Sequence, residues 1–122
     1  MIMEAYAIVT NNPEVAKLAH ALYHDEDLLK VLMRVRDMMH LGHRLISHPL
    51  AGSIKPNQTP YKSVIVSKSP QTELDTKGLQ ILEAAIALST RLLEEKPLIA
   101  MPDRIKADFA LIDLSLIQGG LL

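Results

Sequence analysis

The chain contains no cysteine and no tryptophan, and only Phe109 and three tyrosines are aromatic. Lack of cysteine excludes a disulfide framework, a thiolate metal site and a cysteine nucleophile. So few aromatics leave Leu, Ile, Val, Met and Ala to build the core. They also make a poor stacking platform for single-stranded nucleic acid, with Tyr61 the one aromatic near basic residues. No apolar run approaches the length of a membrane span, and no basic segment precedes a long apolar one as in a signal peptide. The expectation is a soluble, cytoplasmic protein with neither a membrane nor a nucleic-acid partner. Acid is missing too, but only regionally. Between Met38 and Thr72 there is no Asp or Glu, while Arg44, Lys55, Lys62 and Lys68 are all positive. The net charge of −1 therefore divides into +4 on that segment and −5 on the rest.

What is present fits one domain over residues 1–122, long enough to bury roughly two-thirds of its unfolded surface. Ala5–Val9 is a short apolar run ending in Thr10-Asn11-Asn12-Pro13. It predicts a buried strand followed by a helix start, with Asn12 as N-cap and Pro13 in the first turn. Residues 20–24 read equally as a helix end or a short strand. Asp25 is expected to cap a helix from Glu26 to about Leu41, because Leu28, Val31, Leu32, Val35, Met38 and Met39 recur at three-to-four spacing. Gly42 stands where a left-handed cap belongs.

Leu45-Ile46 and Ser63–Ser67 read as strands. Thr72-x-x-Asp75 resembles a capping box opening a helix to about Glu95, with apolar residues on more than one side. Pro97 and Pro102 bracket a linker. Asp103 is expected to cap a last helix in which Ile105, Phe109, Ile112 and Leu116 share a face, and Gly119-Gly120 to stop it. Apolar strands alternating with helices predict an α/β fold: a small, mainly parallel sheet of three or four strands with helices packed on its faces. The strands named for it are Ala5–Val9, Leu45–Ser47 and Val64–Val66.

The long connection between Leu45 and Ser63 is where chemistry is expected. Connections of that length in compact domains usually bind something. Pro49, Pro56 and Pro60 stiffen it and Gly52 lets it bend. It carries many donors: His48, Ser53, Lys55, Asn57, Thr59, Tyr61 and Lys62. In open α/β sheets ligands bind beyond the carboxyl ends of strands, which adds Thr10, Asn11 and Asn12. Lys55 and Lys62 suit a phosphate or carboxylate, and backbone amides near Asn11 and Asn12 suit an anion at a helix start. His48 reads as a base or anion donor, or as a ring that only holds the loop. Ser53 lacks a nearby acid to complete a catalytic set with a histidine. His20/His24 and His40/His43 have metal-like spacing, but the acid-free loop offers no carboxylate, so no metal and no cofactor are expected.

The TNNP after the first strand and the run VRDMMHLGHRLISHPLAGSIKPNQTPYKS resemble the GrdX family. Its members are small proteins encoded alongside the glycine, sarcosine and betaine reductases of amino-acid-fermenting anaerobes. The resemblance is strongest over Val35 to Lys68, with support at Ile8 to Pro13; between Pro13 and Asp25 this chain is shorter than the family pattern. It implies a metabolic setting and a shared site rather than an activity. Two readings follow. One is a non-catalytic accessory protein that docks on a reductase component, with an anion-binding loop at 48–62. The other is a small enzyme acting on a phosphorylated or carboxylated metabolite. The apolar excess on the helix before Glu95 and the Leu121-Leu122 tail suggest a homodimer.

Overall fold

The computed structural model of the chain describes residues 4–52 and 54–122. Three strands and three α-helices occur among them. Strand β1 (Tyr6–Thr10) is central. It pairs in parallel with β2 (Ala21–Tyr23), Ile8 opposite Ala21, and antiparallel with β3 (Ser63–Ser67), Thr10 opposite Ser63 and Tyr6 opposite Ser67. The order is β2-β1-β3. The sheet is thus mixed, not mainly parallel as the apolar strands implied. An apolar run reports that a strand is covered on both faces, and β3 is buried at every position whichever way it runs.

The segment Leu45–Ser47 is not a full strand. It meets the outer edge of β3 at one bridge, Leu45 to Val66. Beyond it, the amides of Ile46 and Ser47 both reach Ile65 O (2.9 and 3.1 Å), and the Ser47 hydroxyl takes the Ile65 amide at 2.8 Å. A side chain thereby replaces the carbonyl that a continuing ladder would use, and His48-Pro49 turns the chain away.

Residues 13–24 resolve the open choice in favour of a strand. Asn12 Oδ1 accepts from the Glu14 amide (3.0 Å), but the turn it starts is a single 3₁₀ turn, Val15–Lys17. His20 then adopts φ +68° with its ring edge-on to Tyr6, 5.2 Å between centroids, and β2 follows.

Helix α1 spans Leu28–His40 and is capped by Asp27, whose side chain accepts from Lys30 N at 2.9 Å. The cap falls two residues later than Asp25 because Glu26 is engaged elsewhere, in a two-pronged pair with Arg34 (2.8 and 3.0 Å). Gly42 has φ +109°, as the cap position requires, and a Cβ there would sit 2.3 Å from Gln71 O. Helix α2 (Thr76–Glu95) is capped by Asp75 rather than by Thr72: Oδ1 takes the Gly78 amide and Oδ2 the Leu45 amide. Helix α3 (Asp103–Leu121) begins after an extended Pro102, with Asp103 in its first turn, and runs through Gly119-Gly120 to Leu121.

Alternation along the strands sorts the core. Ala7, Val9, Val64 and Val66 form one cluster with Leu28, Val31, Leu32, Val35 and Met39 of α1 and Leu82 and Ile86 of α2. Ile8 and Ile65 form a second with Val15 and Ile117 of α3. Each fully buried Leu or Ile contributes about 1.5–3 kcal/mol of transfer free energy, so the first cluster dominates stability. The buried residues of α3 are Ala110, Asp113 and Ile117, and Ile112 and Leu116 stay 43 % and 42 % exposed. The helix is therefore rotated from the face its apolar residues suggested.

Candidate functional site: a buried lysine at the carboxyl end of the central strand

Because β3 starts where β1 ends, residues far apart in sequence meet at that end of the sheet. Thr10 and Ser63 are register partners and their hydroxyl oxygens lie 2.7 Å apart. Ser63 has one hydrogen, and it goes to Asp113 Oδ2 at 2.7 Å, since a carboxylate only accepts. Thr10 must then donate to Ser63, and Thr10 Oγ1 in turn accepts from the Asn12 amide (2.9 Å). Asn12 Nδ2 closes the cluster by donating to Asp113 Oδ2 (3.0 Å) and Ala110 O (2.9 Å). Asp113 is 8 % exposed. A buried carboxylate needs such donors to offset its lost hydration.

Lys62 precedes Ser63 and is also 8 % exposed. Burial pushes its ammonium down from the ordinary lysine value, and the nearby Asp113 carboxylate partly opposes this. Among the described residues, its Nζ has no hydrogen-bond or ion-pair partner. Lys62, Ser63 and Asp113 line a cavity of about 210 Å³ with Ser47 and His48, walled by Ile46, Ala51, Leu116 and Ile117. His48 is exposed, and its Nδ1 accepts the Leu50 amide at 3.0 Å. A backbone N–H can only donate, so the neutral ring carries its hydrogen on Nε2. The cavity thus offers an amine, an imidazole donor and a carboxylate in an apolar setting.

Thr59 and Tyr61 share only a narrow cleft with Lys62 and Asp113, and the expected Asn11, Asn57 and Lys55 are not gathered there. Asn11 is a strut: Nδ2 donates to Glu26 O (2.8 Å) and Pro60 O (2.9 Å), and Oδ1 accepts the Lys62 amide (2.8 Å). Those bonds tie the β1 end, the start of α1 and the end of the loop, leaving nothing for an anion. Asn57 caps α2 by donating to Leu92 O and Lys96 O, both at 3.1 Å. Thr59 accepts the Tyr61 amide within its own turn. Thr59 and Tyr61 line a different cavity of about 380 Å³ with Asn11, Asp25, Glu26, Asp27 and Lys106. There Arg34 holds the Glu26 carboxyl below its usual range, and burial raises the Tyr61 phenol. Lys55 is exposed and lines a third cavity with Lys96 and Phe109, separate from His48 and Lys62. Ser53 lies outside the described residues.

The basic segment is accordingly not one patch. Arg44 pairs with Glu4, Lys68 is exposed, and Lys62 is buried. The histidines of metal-like spacing diverge as well. His20 rests on Tyr6, while His43 Nδ1 meets Ser67 O at 2.8 Å. Among the described residues, no group of three or more His, Asp or Glu is placed to hold a metal ion, and no helix is long and apolar enough to cross a membrane.

The family model described as GrdX-like protein matches residues 7–122. The chain belongs to that family. No curated protein and no solved structure matches it. The match spans the whole Lys62 site, from Thr10 to Asp113. Sequence reasoning missed three polar members of that site, Ser47, Ser63 and Asp113. Ser63 was read only as a strand residue. Asp113 had a visible signal: it stands three residues after Ala110 and four before Ile117, an acid at a core register of α3.

Proposed function

We propose that this GrdX-like protein is a cytoplasmic, non-catalytic accessory protein of glycine and betaine reductase metabolism in amino-acid fermentation, and that it binds a small anionic metabolite in the Lys62 cavity. One observation carries the reading: a lysine buried to 8 % exposure at a cavity wall, without an ion pair among the described residues, beside a carboxylate already engaged by Ser63 and Asn12. A carboxylate or phosphate entering the cavity adds a second negative partner for Lys62 beside Asp113, and His48 Nε2–H is a further donor in the lining. A cavity of about 210 Å³ is smaller than the usual drug-sized pocket of roughly 300 Å³ and above, which favours a compact metabolite. The anion site of the loop therefore lies at its two ends, His48 and Lys62, rather than at Lys55. A reductase component as docking partner and a homodimer belong to the same reading. The test is thermal denaturation with acetate, phosphate and acetyl phosphate. A rise in Tm with at least one of them, lost in Lys62→Met, supports the reading; no rise with any of them refutes it.

A further inference from the structure

The Lys62 side chain is largely buried at the cavity wall, with Asp113 as the nearby opposite charge. Burial favours the neutral amine, which is the nucleophilic form. The groups around it are those a carbonyl condensation uses. Asp113 accepts both of its described hydrogen bonds on Oδ2 and lines the same cavity as Lys62, where its charge favours a developing positive charge. His48 lines the same cavity and can donate a hydrogen bond through Nε2–H, with Ile46, Leu116 and Ile117 as apolar lining. We propose that Lys62 is an imine-forming lysine, whose amine reversibly captures the carbonyl carbon of a short 2-oxo acid held in this cavity. The proposal rests on the anion-binding reading above and narrows it to one class of anion.

The step balances without an oxidant or reductant. The Nζ lone pair attacks the carbonyl carbon, forming the C–N bond, and the C=O π pair moves to oxygen. That oxygen gains a proton as nitrogen loses one, giving a carbinolamine. A second proton, taken from solvent, lets the hydroxyl leave as water, while His48 Nε2–H assists only as a hydrogen-bond donor because Nδ1 is engaged by the Leu50 amide. The nitrogen lone pair then closes the C=N bond. The iminium that results is positive at Asp113, and the acid's own carboxylate is drawn to it and to His48. No turnover is required. A protein that captures and releases a carbonyl metabolite in this way remains an accessory protein.

The test uses the full chain with glyoxylate or pyruvate and sodium cyanoborohydride, which reduces an iminium to a stable amine, followed by peptide mapping. Exposed Lys55 and Lys68 serve as internal standards. Lys62 is expected to be the lysine modified fastest, ahead of both, since a lowered pKa leaves more of its amine neutral. In Lys62→Met that adduct disappears while modification of Lys55 is unchanged. Modification spread evenly over exposed lysines, or an unmodified Lys62, overturns the imine. If acetate or phosphate still raises Tm in that case, the anion-binding reading survives it; if neither does, both fall. Mapping of the unaltered chain decides the question even where the variant does not fold.

Discussion

Replacing Lys62 by methionine separates a lysine kept for a ligand from one kept for the fold. Methionine retains the apolar stem within the same volume and removes the charge. Asp113 keeps its bonds from Ser63 (2.7 Å) and Asn12 (3.0 Å), so no acceptor is orphaned. Replacing a whole buried ion pair by well-packed apolar groups is neutral or stabilising by about 1–4 kcal/mol, while removing one member of a close pair costs about 3–5 kcal/mol. Lys62 has no ion-pair partner among the described residues, so its loss falls nearer the first case. Loss of attraction to Asp113 takes back part of this, and a gain of about 1–2 kcal/mol at neutral pH is expected. For a domain of this length that is a rise in Tm of about 3–8 °C. The pH dependence identifies the cause. The folded-state value of Lys62 is lowered, so between it and the ordinary 10.5 the unfolded chain binds more protons than the folded one. Wild-type stability therefore rises with pH across that window, and the advantage of Lys62→Met shrinks toward zero as pH approaches 10.5. The same variant should lose anion binding by about 1.5–3 kcal/mol, the range for a hydrogen bond to a charged group. Urea denaturation from pH 6 to 10.5, with and without phosphate, measures all three effects. A Lys62→Met protein less stable than wild type, with a difference indifferent to pH, would refute the reasoning and make Lys62 a structural partner of Asp113.

Asn11→Ala should destabilise by about 2–4 kcal/mol, because three hydrogen bonds to buried or half-buried backbone are lost together; a urea midpoint unchanged from wild type would contradict the strut. Gly42→Ala should cost about 1–3 kcal/mol, since φ +109° is strained for any side chain and the Cβ would lie 2.3 Å from Gln71 O; calorimetry showing no fall in Tm would count against that geometry. A homodimer is expected from the exposed Ile81 and Leu88 of α2 and Leu111, Ile112 and Leu116 of α3, and light scattering at micromolar concentration that gives a 13.5 kDa monomer would end that expectation.

The elements with a local physical signature were legible in the sequence. Three-to-four spacing marked α1 and α2, Gly42 marked the end of α1, and β-branched runs marked β1 and β3. Strand direction was not legible, because burial on both faces produces the same apolar run in either orientation. Nor was the failure of Leu45–Ser47 as a strand, which depends on the Ser47 hydroxyl taking a ladder position from 18 residues away. In α3 the apolar residues cover more than one face, so periodicity could not fix which of them points inward. The loop's abundance of donors misled in a related way. Asn57 Nδ2, Thr59 and the Lys55 amide bond within the loop or on the end of α2, as short polar groups in turns commonly do. Asn57 Oδ1 is buried without a hydrogen-bond partner among the described residues.

What distinguishes Lys62 and Asp113 from those residues is energetic. A polar side chain that satisfies a turn stabilises the fold by its presence, so nothing beyond folding is needed to account for it. A lysine buried to 8 % exposure without an ion pair among the described residues works the other way, and packing alone favours a methionine or leucine at its position. Its neighbour Asp113 is accommodated only because Ser63, Asn12 and, through Ser63, Thr10 converge on one carboxylate oxygen from two strand ends and a loop. Lys62 and Asp113 line one and the same cavity. A ligand that brings negative charge, and a carbonyl where the amine can reach it, completes a site which the protein's own groups leave unbalanced.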